Sequence, residues 1–393
     1  MSSTRISSID IFRALTMLLM IFVNDLWSIH DIPAWLEHAR ADEDRMGLAD
    51  VVFPAFLFIV GLSIPFAVDA RKRKGETSRK IFIHIIQRTA ALVIMGFFMV
   101  NFESFQAGTP RFYKPAWEVL MIIAFVLIWN NYRQDDSRKR KIPVIYLQLT
   151  GFLLLVILAL TYRGGTTDEP QWMRTHWWGI LGLIGWAYLL GALVYFLAKG
   201  RIWLIVIAWI ILLALNVQEF TGLPGDLPTI RLVVSASNHA LVMSGILATV
   251  WYKKLNERGK TDLFIGVLVF LGLVSLAFGF LLRPSWGISK IYATPSWTAI
   301  CAGISYLVYS VFYLLADIGK FTAWSSFLGP AGRSTLTCYL VPYVVYPIFG
   351  SLIMMLPAIV TGGIPGLIKS LLFALLIVWI TGLLEKVNIR LKI

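Results

Sequence analysis

Stretches of about twenty apolar residues follow one another along this chain, with only short polar loops between them. That repeat fixes the solvent, because a helix of about 20 apolar residues is the length that crosses the roughly 30 Å hydrocarbon layer of a bilayer. Twelve such segments are expected, near 9–29, 47–70, 81–101, 115–132, 143–162, 178–198, 202–218, 233–252, 263–283, 297–317, 332–350 and 363–384. Composition agrees: 58% of the residues are hydrophobic and 15% charged, against about 45–50% and about 25% in soluble domains. The expected fold is an all-α polytopic helical bundle of about 12 transmembrane helices. It forms a single domain over 1–393, and any chemistry must be built from helix ends and short loops.

The net charge of +13 is not arranged as a nucleic-acid surface would be. Lys and Arg collect in alternate loops, at Arg71 to Lys80, Arg133 to Lys141, Lys253 to Lys260 and Lys386 to Lys392. The positive-inside rule places that side in the cytoplasm, which puts both termini there and makes the number of spans even. No nucleic-acid partner is expected. The partner is the lipid bilayer, and some of these cations also stand ready for an anionic ligand or lipid headgroups. The first span has the outline of a signal peptide, but Asp10 and Arg13 interrupt it and no small-residue cleavage site follows, so it is expected to be retained. Cys301 and Cys338 fall inside predicted spans and suggest neither a disulfide nor a metal site.

The first two spans carry groups that apolar helices normally exclude: Asp10, Arg13, Asn24, Asp25 and Asp50. An ionised group costs about 2.5–3.5 kcal/mol at mid-bilayer, so a chain keeps one when it faces a partner or a site. The loop between the two spans adds His30 and His38 among carboxylates. A histidine titrates near neutral pH and can take or give a proton, and nearby carboxylates orient its ring. No Walker loop, GxSxG, HExxH or dinucleotide fingerprint occurs.

The polar positions have a recognisable spacing. RISSIDIFRALTMLLMIFVN, then His38, then LADVVFPAFLFIVG resembles the opening of the catalytic region of the heparan-alpha-glucosaminide N-acetyltransferase family and its bacterial relatives, which are transmembrane acyltransferases. The matching positions are Arg5, Ser8, Asp10, Phe12, Arg13, Met20, Phe22, Val23, Asn24, His38, Ala49, Asp50, Val52, Phe53, Pro54, Phe56, Phe58, Ile59 and Gly61. Later stretches are similar more thinly, around Arg88, Asn238, RSTLTCYLVPY and RLKI. Three departures stand out. Ala14 replaces a glycine, an acidic ADED stretch lengthens the loop after His38, and two additional spans near 178–218 are added to a ten-helix core.

The resemblance implies acetyl transfer from cytoplasmic acetyl-CoA to an amino or hydroxyl group of an extracytoplasmic sugar, such as a glucosamine residue, in a bacterial inner membrane. His38 is the residue that matches the family's catalytic histidine, as general base or as transient acetyl carrier. Asn24, at the outer end of the first span, can offer its amide to an oxyanion or serve as ordinary interhelical packing. Asp50 can orient His38, bind the acceptor, or compensate a helix N-terminus. Toward the cofactor, Arg13 and Arg88 suit CoA phosphates. His84 lies one turn before Arg88, and Asp10 can pair with Arg13 as a structural ion pair. Asn238 and His239 form the other intramembrane polar pair. A proton-coupled secondary transporter is the alternative, with intramembrane Asp and His as relays. The Leu- and Phe-rich spans also offer surfaces on which two copies can pair.

Overall fold

A computed structural model describes residues 6–105, 113–132, 143–165, 169–222 and 229–393. The order is α1 (Ser7–Asp25), α2 (Leu48–Arg73), α3 (Ser78–Glu103), α4 (Lys114–Trp129), α5 (Val144–Thr161), then a two-residue pairing of β1 (Gly164–Gly165) with β2 (Pro170–Gln171). It continues with α6 (Gly179–Ala198), α7 (Ile202–Thr221), α8 (Ala236–Asn256), α9 (Thr261–Trp286) and α10 (Pro295–Phe312), which runs on into a π-helical turn (Tyr313–Ile318). The chain closes with α11 (Gly329–Arg333), α12 (Thr335–Leu340), α13 (Pro342–Met354), α14 (Ala358–Thr361) and α15 (Gly363–Lys386). The protein is nearly all-α.

Each of the twelve predicted segments is helical, but eight of the described helices are long and apolar enough to cross a membrane. The other four fall short for separate reasons. The first, α1, carries Asp10, Arg13 and Asp25, while α4 has 16 residues. The small and polar sequence of α8 contrasts with the eleventh segment, which is broken into α11, α12 and α13. The break has a local cause: Ser334 leaves helical geometry between α11 and α12, and Pro342 and Pro347 remove backbone donors further on.

Burial differs sharply from helix to helix. The apolar window of α2 is 72% buried inside the protein, whereas those of α7 and α9 are 22% buried. Outer helices meet lipid and must be apolar all round. The central helices α1, α2 and α8 meet other helices and can afford small and polar side chains. Gly61 on α2 and Gly245 on α8 make the crossing of those helices possible. A Cβ at either would run into backbone, the carbonyl of Val242 in one case and of Phe58 in the other. Thr249 Oγ1 donates to the Leu62 carbonyl at 2.8 Å and Tyr306 OH to the Ser244 carbonyl at 2.9 Å, so polar groups in this core are satisfied across helices. Phe58 packs edge-on against Tyr306 at 5.0 Å, and Phe12 joins the same aromatic cluster. Ala14, smaller than most helix residues, lies against Gly332 of α11, where a Cβ would approach Ala14 to 3.2 Å.

The bundle has two chemically distinct ends. At one, α1 begins, α2 finishes in Arg71, Lys72 and Arg73, and α8 finishes in Lys253 and Lys254. This is called the basic end. There the Asp317 carboxylate accepts from the N–H groups of Ser7 and Ser8 at 2.9 and 3.0 Å, satisfying the start of α1. The other is the histidine end, where α1 finishes and the loop with His30 and His38 lies. It is tied to α15 by His30 N–H to Thr361 carbonyl and Gly363 N–H to His30 carbonyl, at 3.0 and 2.9 Å.

Candidate functional site

At the histidine end, Asp50 is almost fully enclosed, at 1% exposure, and organises everything near it. It is the third residue of α2, so its side chain reaches back over the helix start. Oδ2 accepts from the Gly47 N–H at 3.1 Å and from the Ala39 N–H at 2.9 Å. Oδ1 meets His38 Nδ1 at 2.7 Å. The Asp50 carbonyl accepts from Trp297 Nε1 at 3.2 Å, which ties α10 to the same spot. A Cβ at Gly47 would run into the Glu37 carbonyl, so a small residue is what lets the loop fold back onto the helix start.

Lys290, in the turn between α9 and α10, completes the cluster. Its Nζ lies 3.2 Å from His38 Nδ1 and 3.7 Å from Asp50 Oδ1. Nδ1 cannot both donate to Asp50 and accept from Lys290. The carboxylate, closer and an obligatory acceptor, takes the protonated nitrogen, leaving Nε2 as the basic atom on a half-exposed ring. Burial pushes the Lys290 ammonium below its ordinary range, with the Asp50 charge opposing. Lys290 was not legible in the sequence, because it stands 240 residues from Asp50 in a loop with no distinguishing pattern.

The acidic loop stretch has a structural use. Asp44 accepts from Arg283 Nε at 2.9 Å and from the Ile288 N–H at 2.6 Å, so it pins the loop to the turn that carries Lys290. Partial burial raises the Asp44 pKa, but the Arg283 and Ile288 hydrogen bonds outweigh that and hold it below the ordinary carboxylate range. Glu43 accepts from the Arg40 N–H and pairs with Arg45, and Asp42 pairs with Arg40. Asp42, Glu43 and Asp44 of the ADED stretch thus each pair with a base nearby.

Two of the cavities lined by described residues bear on the site. One, of about 320 Å³, lies at the basic end and is lined by Arg13, Arg88, Arg333 and Lys392 together with Ser63 and apolar residues of α2 and α6. Arg13 donates to Asp10 at 3.1 Å and to Ser63 at 2.7 Å. Arg88 lies over the Tyr188 ring at 4.7 Å, and its Nε is buried without a hydrogen-bond partner among the described residues. The other, of about 310 Å³, contains Asn24, Trp27, Glu103, Glu118, Tyr343 and Tyr346. Ile180 and Tyr339 belong to the walls of both, so the cavities adjoin there. Beside Asn24, Asp25 is fully buried and paired with Lys369 at 2.8 Å, and it also accepts from Tyr346 OH.

The structure therefore brings His38 and Asp50 together, and Arg13, Asp10 and Arg88 to one end. It does not join all the residues expected to act together. Asn24 lines a cavity to which neither His38 nor Asp50 contributes, and no hydrogen bond links it to them among the described residues. His84 lines neither cavity. Asn238 and His239, expected toward the cofactor, occupy the first turn of α8, at the histidine end, and line neither cavity. Both are buried, and His239 Nδ1 meets the Ser235 carbonyl at 3.1 Å, the position of a helix-start residue packed inside the core.

Comparison with known proteins locates the chain. Residues 5–227 match the family described as Domain of unknown function (DUF5009). Heparan-alpha-glucosaminide N-acetyltransferase of Mus musculus is 31% identical over 100 residues, which is 25% of this chain and 14% of that protein. The Homo sapiens protein of the same name is 31% identical over 97 residues, with the same shares. The match thus spans about a seventh of the length of these curated relatives.

Proposed function

The chain belongs to the DUF5009 family, and on that premise we propose that it is an integral-membrane acetyltransferase. It moves an acetyl group from acetyl-CoA, bound at the basic end, to an amino group of a sugar at the histidine end. The observation that carries the reading is the pair of adjoining cavities, one lined by four bases and the other by carboxylates, aromatic rings and Asn24. A long anionic cofactor needs cations where its phosphates rest and a passage along which its acyl arm extends. The four bases at one cavity and the second cavity adjoining it at Ile180 and Tyr339 fit that need.

In this reading Arg13, Arg88, Arg333 and Lys392 take the phosphates. Arg13 is already held toward the cavity by Asp10 and Ser63, so a phosphate meets an oriented guanidinium. The thioester lies near Ile180 and Tyr339, with the Asn24 amide donating to the carbonyl oxygen as charge develops there. His38 sits in the loop over the same end rather than in the cavity wall. Its Nε2 takes the proton from the acceptor's ammonium, while Asp50 holds the ring by Nδ1. The free amine attacks the carbonyl carbon, the carbon–sulfur bond breaks, and the departing CoA thiolate takes the second proton that the nitrogen loses as the amide forms. With the basic side in the cytoplasm, as the charge distribution favours, the acetyl group crosses the bilayer by this route.

The test is purified protein with radiolabelled acetyl-CoA and a panel of amino sugars. Labelled N-acetyl product, lost in His38→Ala with acetyl-CoA binding intact, is the expected result. Sugar uptake into vesicles without acetylation would contradict it.

A further inference from the structure

The cavity at the histidine end contains two carboxylates to which the chemistry above assigns nothing. Glu118, in the second turn of α4, is 8% exposed and turned into that cavity, and no hydrogen bond or ion pair is recorded for it among the described residues. Glu103, which closes α3, lines the same wall. Lys114, one turn before Glu118, acts on Glu118 and Glu103 through its charge without forming an ion pair with either: its ammonium donates to the Phe105 carbonyl at 3.3 Å and lies 4.9 Å over the Phe102 ring. Lys369, another base at this end, is held by Asp25 and Ser28. A carboxylate nine-tenths buried without a partner is unfavourable until a cation or a donor arrives. The rest of the wall says what kind of cation. Trp27, Tyr343 and Tyr346 present aromatic surface, and rings beside a carboxylate suit a flat hydroxylated ligand that carries an ammonium group.

We infer that Glu118, with Glu103 beside it, forms the subsite for the acceptor's ammonium and so makes this chain select an amine over a hydroxyl. The inference rests on the acetyltransferase reading for its purpose, and on the geometry of Glu118 for its existence. An unsubstituted amino sugar places its cation on Glu118 and its ring against the aromatic wall. A neutral sugar leaves the carboxylate unpaired, and a site with an unpaired buried polar group rejects the ligand that fails to satisfy it. Once the ammonium has lost its proton the charge on the substrate is gone, and the acetylated product carries no cation for Glu118 to hold. The same contact that selects the substrate therefore releases the product.

Labelling tests this without requiring turnover. The full chain in lipid nanodiscs is treated with a membrane-permeant carbodiimide, and modification at Glu118 is followed by mass spectrometry with glucosamine, glucose or N-acetylglucosamine present. Glucosamine is expected to slow modification several-fold, and the other two to leave it unchanged. Equal protection by all three sugars, or by none, would overturn the subsite. Glu118→Gln, shown to be folded by retained acetyl-CoA binding, is expected to raise KM for glucosamine while leaving kcat near its original value. An unchanged KM would overturn it as well. A chain that acetylates no acceptor at all, yet shows glucosamine-specific protection, would refute the acetyltransferase reading and leave the ammonium subsite standing.

Discussion

The two ends of the bundle hold their polar groups in opposite ways. At the histidine end Asp50 satisfies two backbone N–H groups and an imidazole at once, and Asp25 is closed in by Lys369 and Tyr346. At the basic end the cations face a cavity, and Arg88 Nε is buried with no partner. An interlocked cluster fixes geometry before any ligand arrives, which is what proton transfer requires. Arg88 leaves a bond to be completed by an anion, while Arg13 and Arg333 beside it are already oriented by Asp10, Ser63 and Glu385. Glu118 shows the same incompleteness inside the interlocked end, and that contrast with Asp50, a carboxylate of similar burial, marks it as a binding group rather than a structural one.

Removing the keystone of the interlocked end should have the largest effect. Asp50→Ala loses the two backbone bonds and frees His38, so activity is expected to vanish and the melting temperature to fall by several degrees, since each buried group left unsatisfied costs about 1–3 kcal/mol. An unchanged melting temperature would mean the cluster is not interlocked. His38→Ala comes next: a loss of about 10²–10⁴ in kcat is expected from removing a general base, with acetyl-CoA affinity unchanged by calorimetry. At the open end Arg88→Met should do the reverse, weakening acetyl-CoA about tenfold through one lost charge-assisted contact while leaving stability nearly unaltered. A collapse of the fold in that variant would erase the contrast between the ends.

The smallest effect concerns pH. Asp44 titrates below its ordinary value in the folded protein, so its contribution to loop anchoring is present above about pH 4 and fades as pH falls through the folded value. Amide exchange in residues 30–47, corrected for intrinsic rates, should rise on acidification, and Asp44→Asn should show the raised exchange already at pH 7. Equal exchange in the variant and the parent at pH 7 would assign the anchor elsewhere.

What the sequence revealed, and what it hid, follows from how far apart the interacting residues lie. Helices read off well because bilayer thickness imposes a length and lipid imposes apolarity on every outer surface, as on α5, α7 and α9. The count of spans was less secure, because α1 and α8 are enclosed by protein and so escape the apolar rule. Asp50 with His38, and Asp10 with Arg13, were legible because each pair falls within a few turns of chain. Lys290, Arg333 and Lys369 reach their partners only through the fold, and nothing in their local sequence marks them. Asn238 and His239 stand on a helix enclosed by protein, where His239 Nδ1 meets the Ser235 carbonyl, so local sequence does not separate a packed polar pair from a ligand-facing one.

Reconstituted vesicles test the central claim that the two ends do separate jobs across one membrane. Acetyl-CoA is supplied outside and glucosamine is trapped within. The account predicts labelled N-acetylglucosamine accumulating in the lumen, from the fraction of molecules whose basic end faces out. Product forming only when donor and acceptor share a compartment would contradict it.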